Sequence, residues 1–183
     1  MKLLKGIVKG IDKLNTIIGN IMGYFTLVIM AAIIFEVVSR RFFNSPTLWA
    51  YETICMVFGA FIVLIPGYGL LQGGMVNVDL LSSRLSLKAS HIMVIVTYLI
   101  MFVPFVAGII PAAFQFAAQA WTAKEHSWSQ WAPPVYPLKA CIVVGFSLLF
   151  LQGVSQVLKS VIWLVENWSN PNAGKEVKEV AGQ

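Results

Sequence analysis

The sequence predicts an all-α membrane protein: four transmembrane helices in an antiparallel bundle, preceded by an amphipathic interfacial N-terminal helix. Three observations carry that prediction. Residues 17–35, 53–78, 89–123 and 140–158 are apolar runs without a Lys, Arg, Asp or Glu, and crossing the hydrocarbon core takes ~20 such residues. The chain is 58% hydrophobic and 11% charged, with a mean hydropathy of +0.78, whereas a soluble domain is about 25% charged. Finally, the first residues alternate Lys with aliphatic side chains at helical spacing.

That opening segment, residues 1–15, places Leu3, Leu4, Ile7, Val8, Ile11 and Leu14 on one helical arc and Lys2, Lys5, Lys9 and Lys13 on the other. Such a helix lies in the interface plane with its lysines toward anionic head groups; the other reading is a polar overhang of the first span. The lysines interrupt the segment throughout and no small-residue cleavage site follows, so it reads as retained.

The membrane domain is expected over residues 16–168, with spans at about 17–39, 48–71, 89–122 and 137–165. In the first, Gly19-x-x-x-Gly23 permits close helix approach. Asn44-Ser45-Pro46 signals a tight turn, so the first two spans form an antiparallel hairpin. Pro66 is expected to kink the second span, and Pro104 and Pro111 the third, because each removes a backbone donor. Between them, residues 78–87 suit a short surface helix. The loop 124–136 is rich in Trp, Ser and Pro, and the polar tail 169–183 is expected to be disordered and cytoplasmic.

Four spans put both termini and the middle loop on one side. That side holds Lys2, Lys5, Lys9, Lys13, Arg84, Lys88, Lys159, Lys175 and Lys178; the other holds Arg40, Arg41, Lys124 and Lys139. The positive-inside rule therefore expects cytoplasmic termini. The net charge of +5 belongs to helix ends and does not point to nucleic acid.

Candidate chemistry is sparse. Glu36, Arg40 and Arg41 close the first span, and Glu52 lies one turn into the second at similar depth. Ionisable groups beside lipid pair or face protein, so mutual neutralisation and docking of a partner are both open for this cluster. Neither glutamate is near a span's middle, where a proton-coupled carrier would want a carboxylate. His91 and His126 fall at opposite ends of the third run and cannot jointly hold a haem or metal. Cys55 and Cys141 lie in apolar runs and read as fillers. Neither a phosphate-binding loop nor a hydrolase motif is present, so no enzyme activity, catalytic residue, cofactor or metal is expected.

Glu36 and Arg40, then Asn44-x-Pro46, Trp49 and Glu52, resemble the first hairpin of the small membrane subunit (DctQ-type) of tripartite ATP-independent periplasmic (TRAP) transporters. Gly59-Ala60-Phe61, Val78-Asp79, Ser127-Trp128, Pro133-x-x-x-Pro137 and Gly145…Leu151-Gln152 follow in that family's order, so the likeness covers residues 15 to 155. Gly67-Tyr68-Gly69 lacks the basic residue the family often carries there, and Met75 stands near the place of its histidine. The resemblance implies a bacterial inner-membrane complex in which a periplasmic solute-binding protein delivers an organic acid to a large, sodium-driven elevator subunit. This chain would brace that permease and help receive the binding protein. Glu36, Arg40, Arg41, Asn44, Trp49, Glu52, Lys124 and Trp128 are then the docking or ion-pair candidates, and Lys2, Lys5, Lys9 and Lys13 meet lipid. The competing readings are an autonomous small carrier or channel and a membrane anchor of an enzyme complex.

Overall fold

A computed structural model describes residues 2–73 and 87–168. These residues form α1 (Lys2–Phe42), α2 (Ala50–Leu64), α3 (Pro66–Leu71), α4 (Leu87–Thr97), a π-helical turn (Tyr98–Phe102), α5 (Val103–Thr122) and α6 (Tyr136–Asn167). Among them there is no strand, only an isolated bridge between His126 and Pro134. Four helical stretches are long and apolar enough to cross a membrane: Lys2–Phe42, Ala50–Leu71, Leu87–Thr122 and Tyr136–Asn167. The expected surface helix at 78–87 and the tail lie outside the described residues, apart from Leu87, which opens α4.

The spans run antiparallel. At one end, here the terminal end, Lys5 of α1 meets Glu166 of α6 and His91 of α4 stacks on Trp163 of α6. At the opposite, hairpin end, Phe35 stacks on Trp49 and Trp121 packs edge-on against Tyr136. The fourth span is the hub: α6 packs against all the other spans, whereas α1 leans on α2, α3 and α6, and the third span rests on α6.

The N-terminal segment is helical and continuous with the first span: α1 runs unbroken for 41 residues, about 62 Å at 1.5 Å per residue. The physical reason for the continuity is local. Asn15 and Thr16, which could have capped a new helix, instead bond backward to the carbonyls of Ile11 (3.2 Å) and Asp12 (2.8 Å), which is mid-helix behaviour. Val8 of the apolar arc is buried, while Leu3 and Ile7 stay exposed.

Proline acts as its chemistry requires. Ile65 separates α2 from α3 and Pro66 takes the first position of α3, where its missing N–H costs nothing further. Helical bonds from Ile65 to Phe61 (3.1 Å) and from Gly69 to Ile65 (3.0 Å) carry the chain across this joint. In the third span the Val103 N–H reaches back five residues to Tyr98. The widened turn comes just before Pro104, whose ring would crowd the carbonyl four residues earlier in a regular α-turn. Pro111 stays within α5.

Close packing is set by glycine at two points on the hub. A Cβ at Gly145 would strike the backbone carbonyl of Val63, and one at Gly153 would strike the ring of Phe102. The Gly19-x-x-x-Gly23 pair divides: Gly19 lies under the Tyr68 ring, while Gly23 faces open space. Substituting Gly145→Val is expected to lower stability by about 1–3 kcal/mol through overpacking against a rigid carbonyl, whereas Gly23→Val leaves that contact untouched. Thermal unfolding of the two detergent-solubilised variants, monitored by near-UV circular dichroism, checks the contrast; equal melting would refute it.

Candidate functional site

The hairpin end is built around Glu36. Its carboxylate is buried at the end of α1. One oxygen accepts the Arg40 guanidinium at 2.8 Å, and the other accepts the Thr47 hydroxyl. Residues i and i+4 share a helix face, so the ion pair follows from spacing. The Thr47 bond does not, because it needs the turn to fold back. That turn is made by Asn44 in the left-handed region (φ 50°), with the Ser39 hydroxyl donating to the Ser45 carbonyl at 2.7 Å. Trp49 stacks on Phe35 with ring centroids 6.1 Å apart, fixing the start of α2 against α1.

The expected mutual neutralisation is therefore only half formed. Glu36 and Arg40 meet, but Glu52 does not join them: its Oε2 is buried without a hydrogen-bond partner among the described residues. Arg41 is exposed and takes no ion pair among the described residues. The Arg40 side chain is itself 62% exposed, so its charge is anchored on one side and open on the other.

The second feature of this end is the loop between α5 and α6. Backbone bonds from Ser127 to Pro133 (2.9 Å) and from Val135 to Glu125 (3.0 Å) pin its two arms together. Lys139 closes its base, pairing with Glu125 at 2.5 Å and standing 4.0 Å over the Phe116 ring. Lys124 adopts φ 45°, and its carbonyl accepts the His126 Nδ1–H at 2.6 Å. At the tip, Trp128 is wholly exposed. An indole held in solvent by a braced loop presents a large apolar face at low entropic cost, which is what binding hot spots use. Lys124 and Trp128 thus share an end of the bundle with Arg40 and Arg41, but sit on a separate loop.

At the terminal end the structure holds a cluster that the sequence reading missed. Asp12 accepts Gln152 and Ser155, each at 3.0 Å, through one oxygen, and pairs with Lys159 at 2.8 Å through the other. Asn15 donates to the Gln152 side-chain carbonyl at 2.8 Å. Asn15, Gln152 and Ser155 are fully buried. The available signal was helical spacing: Gln152, Ser155 and Lys159 form one stripe on α6, matched by Asp12 and Asn15 on α1. Of the N-terminal lysines, Lys5 pairs with Glu166 at 2.5 Å, while Lys2, Lys9 and Lys13 are exposed.

His91 lies against Trp163 at the terminal end and His126 in the loop of the hairpin end. Among the described residues no group of His, Cys, Asp and Glu is arranged to hold a metal ion. Cys55 and Cys141 are both free thiols.

A four-span helical bundle joined by buried polar contacts, with every span long and apolar enough to cross a membrane, has the form of a multi-pass membrane protein. The family model described as tripartite ATP-independent periplasmic transporters, DctQ component, matches residues 29–162, and this chain belongs to that family. It is a component of a transporter, not an enzyme. No curated protein and no solved structure matches it.

Because the Asp12–Lys159 pair is partly exposed, its coupling in a double-mutant cycle (Asp12→Asn, Lys159→Gln) is expected at about 1–2 kcal/mol, between surface and buried pairs. Additive effects on unfolding in detergent would show that the pair does not join α1 to α6.

Proposed function

We propose that this chain is the small, non-solute-binding membrane subunit of a sodium-driven TRAP transporter in the bacterial inner membrane, with both termini cytoplasmic. It scaffolds the large elevator-type permease subunit and helps dock the periplasmic solute-binding protein during uptake of an organic acid. Family membership supports the complex. The observation that carries the docking role is the hairpin end, where Arg40, Arg41 and Trp128 point outward from parts that are tied down by Glu36, Thr47 and the Lys139–Glu125 pair. Positive charge at the rim of such a surface speeds encounter with an acidic partner and depends on salt. The apolar flank of α1, with Tyr24, Phe25, Leu27 and Val28 exposed, offers the permease a continuous helix face.

The test is reconstituted uptake with the two partner components. Reversing the charge of Arg41 (Arg41→Glu), which is exposed and takes no ion pair among the described residues, is expected to cut uptake several-fold, most strongly at low ionic strength, with unchanged amounts of assembled membrane complex. Trp128→Ala is expected to weaken capture of the solute-binding protein by about 2 kcal/mol, the scale of an aromatic hot spot, measured by surface plasmon resonance on the complex. Wild-type uptake in both variants would refute the docking role, and transport by this chain alone in liposomes would refute the scaffold reading altogether.

A further inference from the structure

At the terminal end an open cavity of about 360 Å³ lies between the outer turns of α1 and α6, at the smaller end of the range typical of ligand sites. Its floor is apolar: Val8 and Ile162 are both buried there, and Trp163 forms a wall. That indole is held in place from behind by His91, stacked 4.2 Å away. The rim carries three cations and one carboxylate: Lys5, Lys9 and Lys159 line the cavity together with Glu166.

The charges are not all neutralised. Lys5 is held by Glu166 at 2.5 Å and Lys159 by Asp12 at 2.8 Å. Lys9 lines the same cavity and has no carboxylate partner among the described residues. The site therefore has one uncompensated positive charge, two further ammonium groups within the same rim, and an apolar base. It also sits at the end of helices that cross a membrane, with Leu3 and Ile7 on α1 and Val161 and Val165 on α6 exposed on adjoining turns.

We propose that this cavity binds the head group of an anionic phospholipid, its phosphate on Lys9 and the neighbouring lysines and its glycerol and first methylenes over Val8, Ile162 and Trp163. Both halves of the lining need a ligand of that kind. A free phosphate would satisfy the lysines and leave the apolar floor without a role. A zwitterionic lipid would bring its own ammonium group to a rim already positive. Tryptophan at such a depth matches the membrane–water interface, where an amphipathic ring is favoured. The proposal goes beyond the docking role at the opposite end and does not depend on it.

The experiment is native mass spectrometry of the full chain in detergent, titrated separately with phosphatidylglycerol, phosphatidylcholine and inorganic phosphate. The first phosphatidylglycerol adduct is expected to form at lower concentration than the phosphatidylcholine adduct. Lys9→Gln should weaken it roughly fivefold, corresponding to about 1 kcal/mol for one lysine near an anionic lipid surface. Lys2→Gln makes the same change of charge on the same helix outside the cavity lining, and is expected to leave the affinity within twofold. Lys9 has no structural ion pair to lose, so the fold is preserved, which circular dichroism of the variant verifies. Equal binding of the two lipids, equal losses in the two variants, or displacement of lipid by inorganic phosphate at comparable concentration would each overturn the proposal. The first two would leave only diffuse surface charge, and the third a free-anion site.

Discussion

The buried and half-buried bonds that tie Asp12 and Asn15 of α1 to Gln152, Ser155 and Lys159 of α6 set the register of the bundle. Apolar contact between helices in lipid does not discriminate register, because a lipid tail is as good a neighbour as a leucine. Polar groups do discriminate, since away from water each needs a partner. Sliding α1 along α6 by one turn, about 5.4 Å, would strand the Gln152 amide and the Asp12 carboxylate together. The network also ties the amphipathic start of α1 to the bundle: its third and fourth turns are bonded to the hub.

From that fixed register the other packing follows. Because α6 is held against α1, Gly145 can meet the Val63 carbonyl and Gly153 can lie beneath Phe102, which brings the second and third spans to the same axis. Gln156 adds a bond to the Leu70 carbonyl at 3.1 Å, near the end of α3, where helical carbonyls are left free. The hub thus contributes Gly145, Gly153 and the buried Gln152 amide to these contacts, while many large apolar side chains of the outer helices are exposed to face lipid or protein. Its most apolar stretch is 28% buried, against 6% for α1, a difference that follows from its central position.

Much of this was legible in the sequence, and the parts that were not share a cause. Span number, the hairpin at Asn44-Ser45-Pro46 and the Glu36–Arg40 pair rest on local rules of length, turn chemistry and i, i+4 spacing, and each appears in the structure. The continuity of α1 with the first span was not legible, because an amphipathic pattern is the same whether its apolar face meets lipid or another helix; Asn15 meets α6 and Val8 is buried. The Asp12–Lys159 pair and the Lys139–Glu125 brace join residues distant in the chain, and pairing at that separation is decided by packing, not by propensity. Thr47 was missed for a smaller reason, since only the folded turn brings its hydroxyl to Glu36.

How the polar atoms are used bears on what the bundle can do. A carboxylate that serves an ion or solute needs oxygens free to coordinate it. Asp12 already accepts three donors across its two oxygens, and Glu36 has a donor on each. Gln152 spends its carbonyl on Asn15 and its amide on Asp12. These groups hold helices, and recruiting them for transport would mean breaking the register they define. Among the cations left with charge to offer are Arg40 and Arg41 beside the hairpin and Lys9 over an apolar cavity at the other end. A bundle that consumes its internal polarity on its own cohesion and keeps open charge at its two ends is arranged as structure, which accords with a component that works within a larger transporter.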